Sequence, residues 1–286
     1  MVLRLPSNSR KGVERFREDM NILLRGGGDL ASGVAVRLWR VGLRVVITEL
    51  PNPMAVRRKV AFSEAVYQGV TVVEDIRARL VGIPEQCDEI LDQGEIPVLI
   101  DPSLNCLKIV RPAVMVDARM KKSLPEMSLD VVPMVIGLGP GFVAGENCHA
   151  VIETKRGHKL GRVIWTGEPQ ENTGIPEGIE NHYSDRVLRA PTDGVLEIFA
   201  EIGDRLDKGQ VIGRIEEFQV VAPFQGVLRG ILPSDIVVSK GLKIGDVDPR
   251  GEVSNCYLVS DKSLAIGGGV LEAILSRSEL RSKLWF

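Results

Sequence analysis

Asn21-Ile-Leu-Leu-Arg-Gly-Gly-Gly-Asp-Leu-Ala-Ser-Gly33 is followed, after Val45-Val46-Ile47-Thr48, by Glu49. The order reads as strand, glycine turn, helix, strand, acid. Gly26 and Gly28 let the backbone turn tightly and approach a phosphate, with Gly27 between them, and Ala31 takes the third small position. A helix from Asp29 to Val41 aims its free N–H groups, Asp29 and Leu30 first, and its positive dipole end at that phosphate. Glu49 lies 21 residues past Gly28, where an acid accepts hydrogen bonds from a ribose. These parts predict a nucleotide-type ligand, either an NAD-type or a pterin dinucleotide, held by Gly26, Gly27, Gly28, Asp29, Leu30 and Glu49. The alternative is that Gly26 to Gly28 merely ends a buried strand. A carboxylate at Asp29 would repel a phosphate, so its side chain should turn aside or meet an Mg²⁺ ion.

Around this stretch, apolar runs alternate with amphipathic ones, the pattern of a parallel sheet covered by helices. Candidate strands are 22–25, 43–48, 70–73, 96–100 and 114–117, and candidate helices 35–39, 54–67 and 85–93. The expected fold is α/β: a Rossmann-like domain over 20–130 and a small all-β barrel-sandwich domain over 186–250. Residues 1–19 read as a flexible extension, with Met20 a candidate start. Residues 131–185 read as a polar junction, and 251–286 as a strand and helix returning to the α/β part. In an open sheet of this kind ligands bind beyond the C-terminal strand ends, so 26–29, 49–52 and 101–103 should share one rim.

The 186–250 segment carries an internal repeat. Arg189-Ala-Pro-Thr-Asp-Gly-Val-Leu196 is echoed by Val221-Ala-Pro-Phe-Gln-Gly-Val-Leu228, each followed by a glycine-rich hairpin, so two copies of one unit should pack together. The spacing is similar to that of biotinyl and lipoyl carrier modules. The hairpin between the copies, Ile215-Glu-Glu-Phe-Gln-Val220, lacks their lysine, so no covalent biotin or lipoate is expected. In the tail, Leu264 to Ile266, Gly267-Gly-Gly269 and Val270 to Leu275 read as strand, turn and helix. That turn suggests either a second anion site or a close-packed helix start.

All three histidines, His149, His158 and His182, fall between residues 145 and 185. On a helix, His149 and Glu153 would share a face and a metal. On a strand, which Ala150-Val-Ile152 favours, four residues at about 3.3 Å each separate them by roughly 13 Å, too far for one ion. No metal site is therefore assigned. His149, Glu153, Arg156 and His158 are the candidate proton-transfer or anion-holding groups. The loops at 137–141, 156–162 and 172–176 are candidate anion nests, and Arg57-Arg58 faces either phosphate or solvent. Cys148 reads as a thiol relay beside His149 or as a buried residue in a strand.

Composition narrows the class. The 286 residues, 44% hydrophobic with net charge −2, are those of an ordinary globular protein, with no attraction to nucleic acid or an anionic membrane. Four scattered cysteines without a C-x-x-C pair signal neither zinc nor a disulfide framework, and no apolar run reaches bilayer length. A cytoplasmic location is expected. A homo-oligomer is left open.

Seven motifs, R-G-G-G-D-L-A-S-G, T-E-L-P-x-P-M-A-V-R-R, G-L-G-P-G-F, V-I-E-T-K-R-G-H-x-L-G-R-V, N-T-G-I-P, V-L-R-A-P and A-I-G-G-G-V-L-E-A, span about residues 20 to 275. Together they resemble the YqeB-type family of selenium-dependent molybdenum hydroxylase system proteins, itself distantly similar to xanthine dehydrogenase accessory factors. The resemblance implies an accessory or maturation factor with a molybdenum hydroxylase as client. It supplies no catalytic residues. Two other functions compete: a non-catalytic docking scaffold, favoured by an exposed apolar patch on 186–250, and an NAD-dependent oxidoreductase, for which no Tyr-x-x-x-Lys pair is present.

Overall fold

In the computed structural model, residues 20–120, 128–171 and 185–283 are described. The 1–19 extension, the 172–176 loop and His182 lie outside the described residues.

The chain opens with β1 (Asn21–Arg25), α1 (Asp29–Arg40) and β2 (Arg44–Glu49). Strand β1 is apolar and buried, and α1 buries Ala31, Val34, Ala35 and Leu38 on one face, the periodicity of a helix lying on a sheet. There follow α2 (Ala65–Gln68), β3 (Val70–Val73), β4 (Ile76–Val81), α3 (Cys87–Asp92), β5 (Ile96–Ile100), α4 (Leu107–Val110), β6 (Val114–Asp117), β7 (Met134–Leu138), β8 (Ala150–Ile152) and β9 (Val163–Ile164). They build one nine-stranded sheet in the order β3-β4-β5-β2-β1-β6-β7-β8-β9. Strands β4 to β8 pair in parallel with β5, β2, β1, β6 and β7 between them, while β3 and β9 run antiparallel at the edges.

This mixed sheet corrects the expected Rossmann-like parallel domain. Its helices are also placed differently. Only α1 follows its strand as a long crossover helix. The predicted helix at 54–67 is instead two 3-10 turns, Arg58–Val60 and Phe62–Glu64, leading into the single turn of α2. Pro51 and Pro53 restrict the start of that segment, and its backbone donors are used in tertiary contacts: Phe62 N donates to Ser32 Oγ and Ser63 N to Gly27 O.

The second half of the sheet is covered from the far end of the chain. The tail is one helix, α5 (Asp261–Ser276), followed by the short α6 (Ser278–Arg281). The expected strand and turn at 264–269 are thus helical, and Gly267 and Gly269 are packing positions within that helix, with Gly268 between them facing open space. A Cβ on Gly267 would meet Gly33 O at 2.8 Å, and one on Gly269 would clash with Gly161 O. Ser260 caps α5 through its side chain, accepting from Ser263 N.

The remaining strands are β10 (Val187–Arg189), β11 (Gly194–Ile198), β12 (Arg205–Leu206), β13 (Val211–Ile215), β14 (Phe218–Val221), β15 (Gly226–Ile231), β16 (Ile236–Val238) and β17 (Lys243–Asp248). They form two four-stranded antiparallel sheets, β10-β17-β15-β12 and β14-β13-β11-β16. Replacing each strand of one repeat copy by its counterpart in the other converts the first order into the second. Each copy therefore contributes two strands to each sheet. The separate hydrogen-bonded sheets correct the expectation of a barrel-sandwich domain. Their inward residues, among them Leu196, Ile212, Ile215, Leu228 and Val247, make a core distinct from that of the large sheet.

Candidate functional site

The parallel strands β1, β2, β5, β6 and β7 end on one rim, and strand order reverses on either side of β1, leaving a crevice beside its C-terminal end. The glycine turn occupies that position. Gly26 has φ +101°, a conformation that disfavours any side chain, and its N–H donates to Thr48 O at 2.8 Å. Gly27 is enclosed: a Cβ there would lie 3.0 Å from Ser63 N. Ser32, buried one turn into α1, fixes the turn by donating to Gly27 O while accepting from Phe62 N.

Gly28 is the open side. It caps α1 in an extended conformation, no side chain caps the helix, and a Cβ would meet nothing within 4 Å. Ser32 N makes the first helical bond, to Gly28 O at 2.8 Å. Ahead of it, the N–H groups of Gly28, Asp29 and Leu30 have no acceptor among the described residues, the ordinary condition of a helix start and the one that suits an anion.

Glu49 reaches the same turn. Gly27 N donates to its Oε1 at 2.6 Å and Leu50 N to its Oε2 at 2.8 Å. Burial pushes this carboxyl above the usual range, and the two backbone donors pull it part of the way back. Each oxygen keeps a lone pair for a ligand hydroxyl. Asp29 does turn aside: its Oδ2 accepts from Arg57 and its Oδ1 from Ser263 Oγ, both at 3.0 Å. Asp101, on the same rim, is spent on the chain itself. Burial acts to raise its carboxyl, but the N–H groups of Cys106 and Asn105 outweigh it and hold it below the usual range.

Sequence reasoning missed one neighbour. Arg119, just past β6, crosses the turn, with its Cγ 3.5 Å from a Cβ position on Gly26. It pairs with Asp117, which Arg25 also approaches at 3.7 Å. No sequence motif marks it, because its position depends on β6 pairing with β1.

The second candidate group does not assemble. Residues 150–152 are a strand, so His149 and Glu153 flank opposite ends of it. His149 Nδ1 accepts from Val135 N at 3.0 Å. Glu153 is buried and accepts from Lys155 N at 2.7 Å and Gln170 N at 2.8 Å. Arg156 makes a two-point pair with Asp261, at 2.5 and 2.6 Å, which holds that carboxyl down at about 2. Only the carbonyl of His158 is engaged, by Arg162. No group of three or more metal-ligating side chains occurs among the described residues. The candidate nests are partly filled from within: Gly139 N donates to Ile152 O and Gly161 N to Glu153 O. Burial pushes the Cys148 thiol up to about 11, the opposite of activation.

No family model matches the chain. Over 254 residues, 89% of the chain, it is 45% identical to "Uncharacterized protein YqeB" of Escherichia coli (strain K12). The chain resembles YqeB. It spans 47% of that protein's length, about half. Solved structures also match: a succinylglutamate desuccinylase/aspartoacylase from Rhodobacter sphaeroides is 13% identical, with a TM-score of 0.25 over 80% of this chain and 85% of that one. The ectoine utilization protein EutE (DoeB) from Ruegeria pomeroyi is 12% identical, with a TM-score of 0.23 over 80% and 84%. Scores this low transfer nothing to this chain. The mixed sheet corrects the label Rossmann-like and the two separate antiparallel sheets the label barrel-sandwich hybrid. Neither the relative nor these structures carry the label molybdenum-hydroxylase accessory protein. No helix among the described residues is long and apolar enough to cross a membrane.

Proposed function

We propose that the chain binds a nucleotide-type ligand on the turn from Gly26 to Asp29. The observation that carries this is the open row of N–H groups at Gly28, Asp29 and Leu30, facing the rim with the Glu49 carboxylate one residue away on Gly27. A phosphate takes the helix start, where backbone donors and the positive end of the dipole favour an anion. A ribose hydroxyl takes the free lone pairs of Glu49. The chemistry is that of binding and positioning, with an NAD-type or pterin dinucleotide as the ligand class.

Amide hydrogen exchange tests the site directly. Saturating nucleotide should slow exchange at Gly28, Asp29 and Leu30 and leave β11 and β16 unchanged. Unchanged exchange at the turn with every nucleotide tried would remove the reading.

A docking role for the small sheets has its own observation. Val195 and Val237 lie opposite each other on β11 and β16, and Val237 is 77% exposed, with Phe199 60% exposed on the same strand pair's margin. Charged substitution at Val237 should then abolish pull-down of a client while leaving nucleotide binding intact.

A further inference from the structure

The first residue of α1 is an acid whose own N–H is one of the open donors, which places a negative charge beside the seat for an anion. Both its oxygens are engaged. Ser263 Oγ donates to one and the Arg57 guanidinium to the other. Ser263 is buried in α5 against α1, so Asp29 is not free to swing away.

Arg57 is held just as firmly. Its second terminal nitrogen donates to Asn255 O at 3.0 Å and Leu258 O at 2.9 Å, and only 10% of the side chain is exposed. A guanidinium fixed by two carbonyls does not reach out to grasp a ligand. It stays where it cancels the charge on Asp29. Arg58 does not substitute for it, because that side chain is spent on Ile231 O and Glu64.

We propose that Arg57 is a positioning residue for the anion site, acting through Asp29: it neutralises the carboxylate that would otherwise repel a phosphate on Gly28 and Asp29. This rests on the nucleotide reading above. A like charge within a few ångströms of a partly buried site costs a bound anion heavily, so loss of Arg57 should weaken binding tenfold or more.

The experiment measures dissociation constants for NAD and ATP by calorimetry on the full chain as native protein, Arg57→Ala, Asp29→Asn and the double variant, with the thermal midpoint of each unliganded protein. Arg57→Ala should lose at least tenfold in affinity. The double variant should recover to within about threefold of native while keeping the lowered midpoint, because removing the carboxylate restores the charge balance but not the bonds to Asn255 and Leu258. Arg57→Gln, which keeps amide donors without the charge, serves if the alanine variant does not fold and should show the same loss and rescue. Unchanged binding in the single variant, or no rescue in the double, would assign Arg57 a structural role only. If the native protein binds neither of these probes nor a molybdopterin dinucleotide titrated in the same way, the nucleotide reading fails and this inference falls with it.

Discussion

Glu49 and Gly27 are joined across the end of the sheet by a 2.6 Å hydrogen bond, backbone N–H to carboxylate. The acid predicted to meet a ribose is therefore already seated on the glycine turn.

Its titration gives a first prediction. A carboxyl whose folded value lies above its unfolded one makes the folded state take up the proton more readily, so its contribution to stability rises as pH falls through the folded value toward the ordinary one near 4.5. Glu49→Gln should flatten that part of the stability profile between pH 7 and 4.5, measured by urea unfolding. It should also narrow any preference for NAD over NADP, since the carboxylate accepts from a free 2′-hydroxyl and repels a 2′-phosphate. A larger preference in the variant would contradict the role given to Glu49.

The helix pair α1 and α5 separates two glycines that look alike in sequence. A Cβ on Gly33 would come 2.4 Å from Ser263 Cβ and 2.7 Å from its carbonyl, so the helices must part. Alanine favours a helix interior by about 1 kcal/mol over glycine, but overpacking costs about 1–3 kcal/mol. Gly33→Ala should therefore lower stability, while Gly28→Ala, with nothing within 4 Å, should cost about 1 kcal/mol or less at a cap position. Equal losses in denaturant unfolding would refute the close packing.

His149 titrates with the opposite sign to Glu49. Burial lowers its folded value first, the Arg277 cation adds to this, and Asp130 opposes it. Only the neutral ring accepts from Val135 N. The stability it contributes is present above the unfolded value near 6.5 and is lost as pH falls below it toward the depressed folded value. Unfolding midpoints between pH 7.5 and 5.5 should fall more steeply for the native protein than for His149→Gln.

All four cysteines are buried, and burial raises each thiol, Cys87 to about 12 and Cys148 to about 11. The thiolate is the reactive form. Iodoacetamide at pH 8 should modify none of them until denaturant is added; rapid labelling of Cys148 in the native state would restore the relay that its burial argues against.

The strand, turn, helix and acid from Asn21 to Glu49 were legible because each part has a local cause: an apolar run, glycines before an amphipathic helix, a polar residue at a strand end. The repeat in the small sheets was legible from A-P-x-x-G-V-L in two copies. What was hidden depends on contacts distant in sequence. Gly267 to Gly269 imitate a turn, but within α5 the glycines at 267 and 269 answer the close approach of Gly33 and Gly161 across the interface. Residues 54–67 carry helix-compatible composition, yet Ser32 and Gly27 claim their backbone groups. Arg57 was visible as a charge, but its partner Asp29 and its tie to Asn255 and Leu258 arise only when α1 and the segment before α5 meet.

The central claim, an anion-bearing ligand on the glycine turn, is tested most directly by thermal-shift titration with NAD, NADP, ATP, CTP and molybdopterin dinucleotides beside Gly28→Asp. Position 28 has an ordinary φ of −69° and open space, and aspartate is a good helix cap, so this variant should fold while placing a charge where the phosphate sits. A ligand at about 100 times its dissociation constant adds roughly 2.7 kcal/mol, several degrees in midpoint. The account predicts such a shift for at least one nucleotide in the native protein and its loss in Gly28→Asp. An equal shift in both proteins, or none in either, would contradict it.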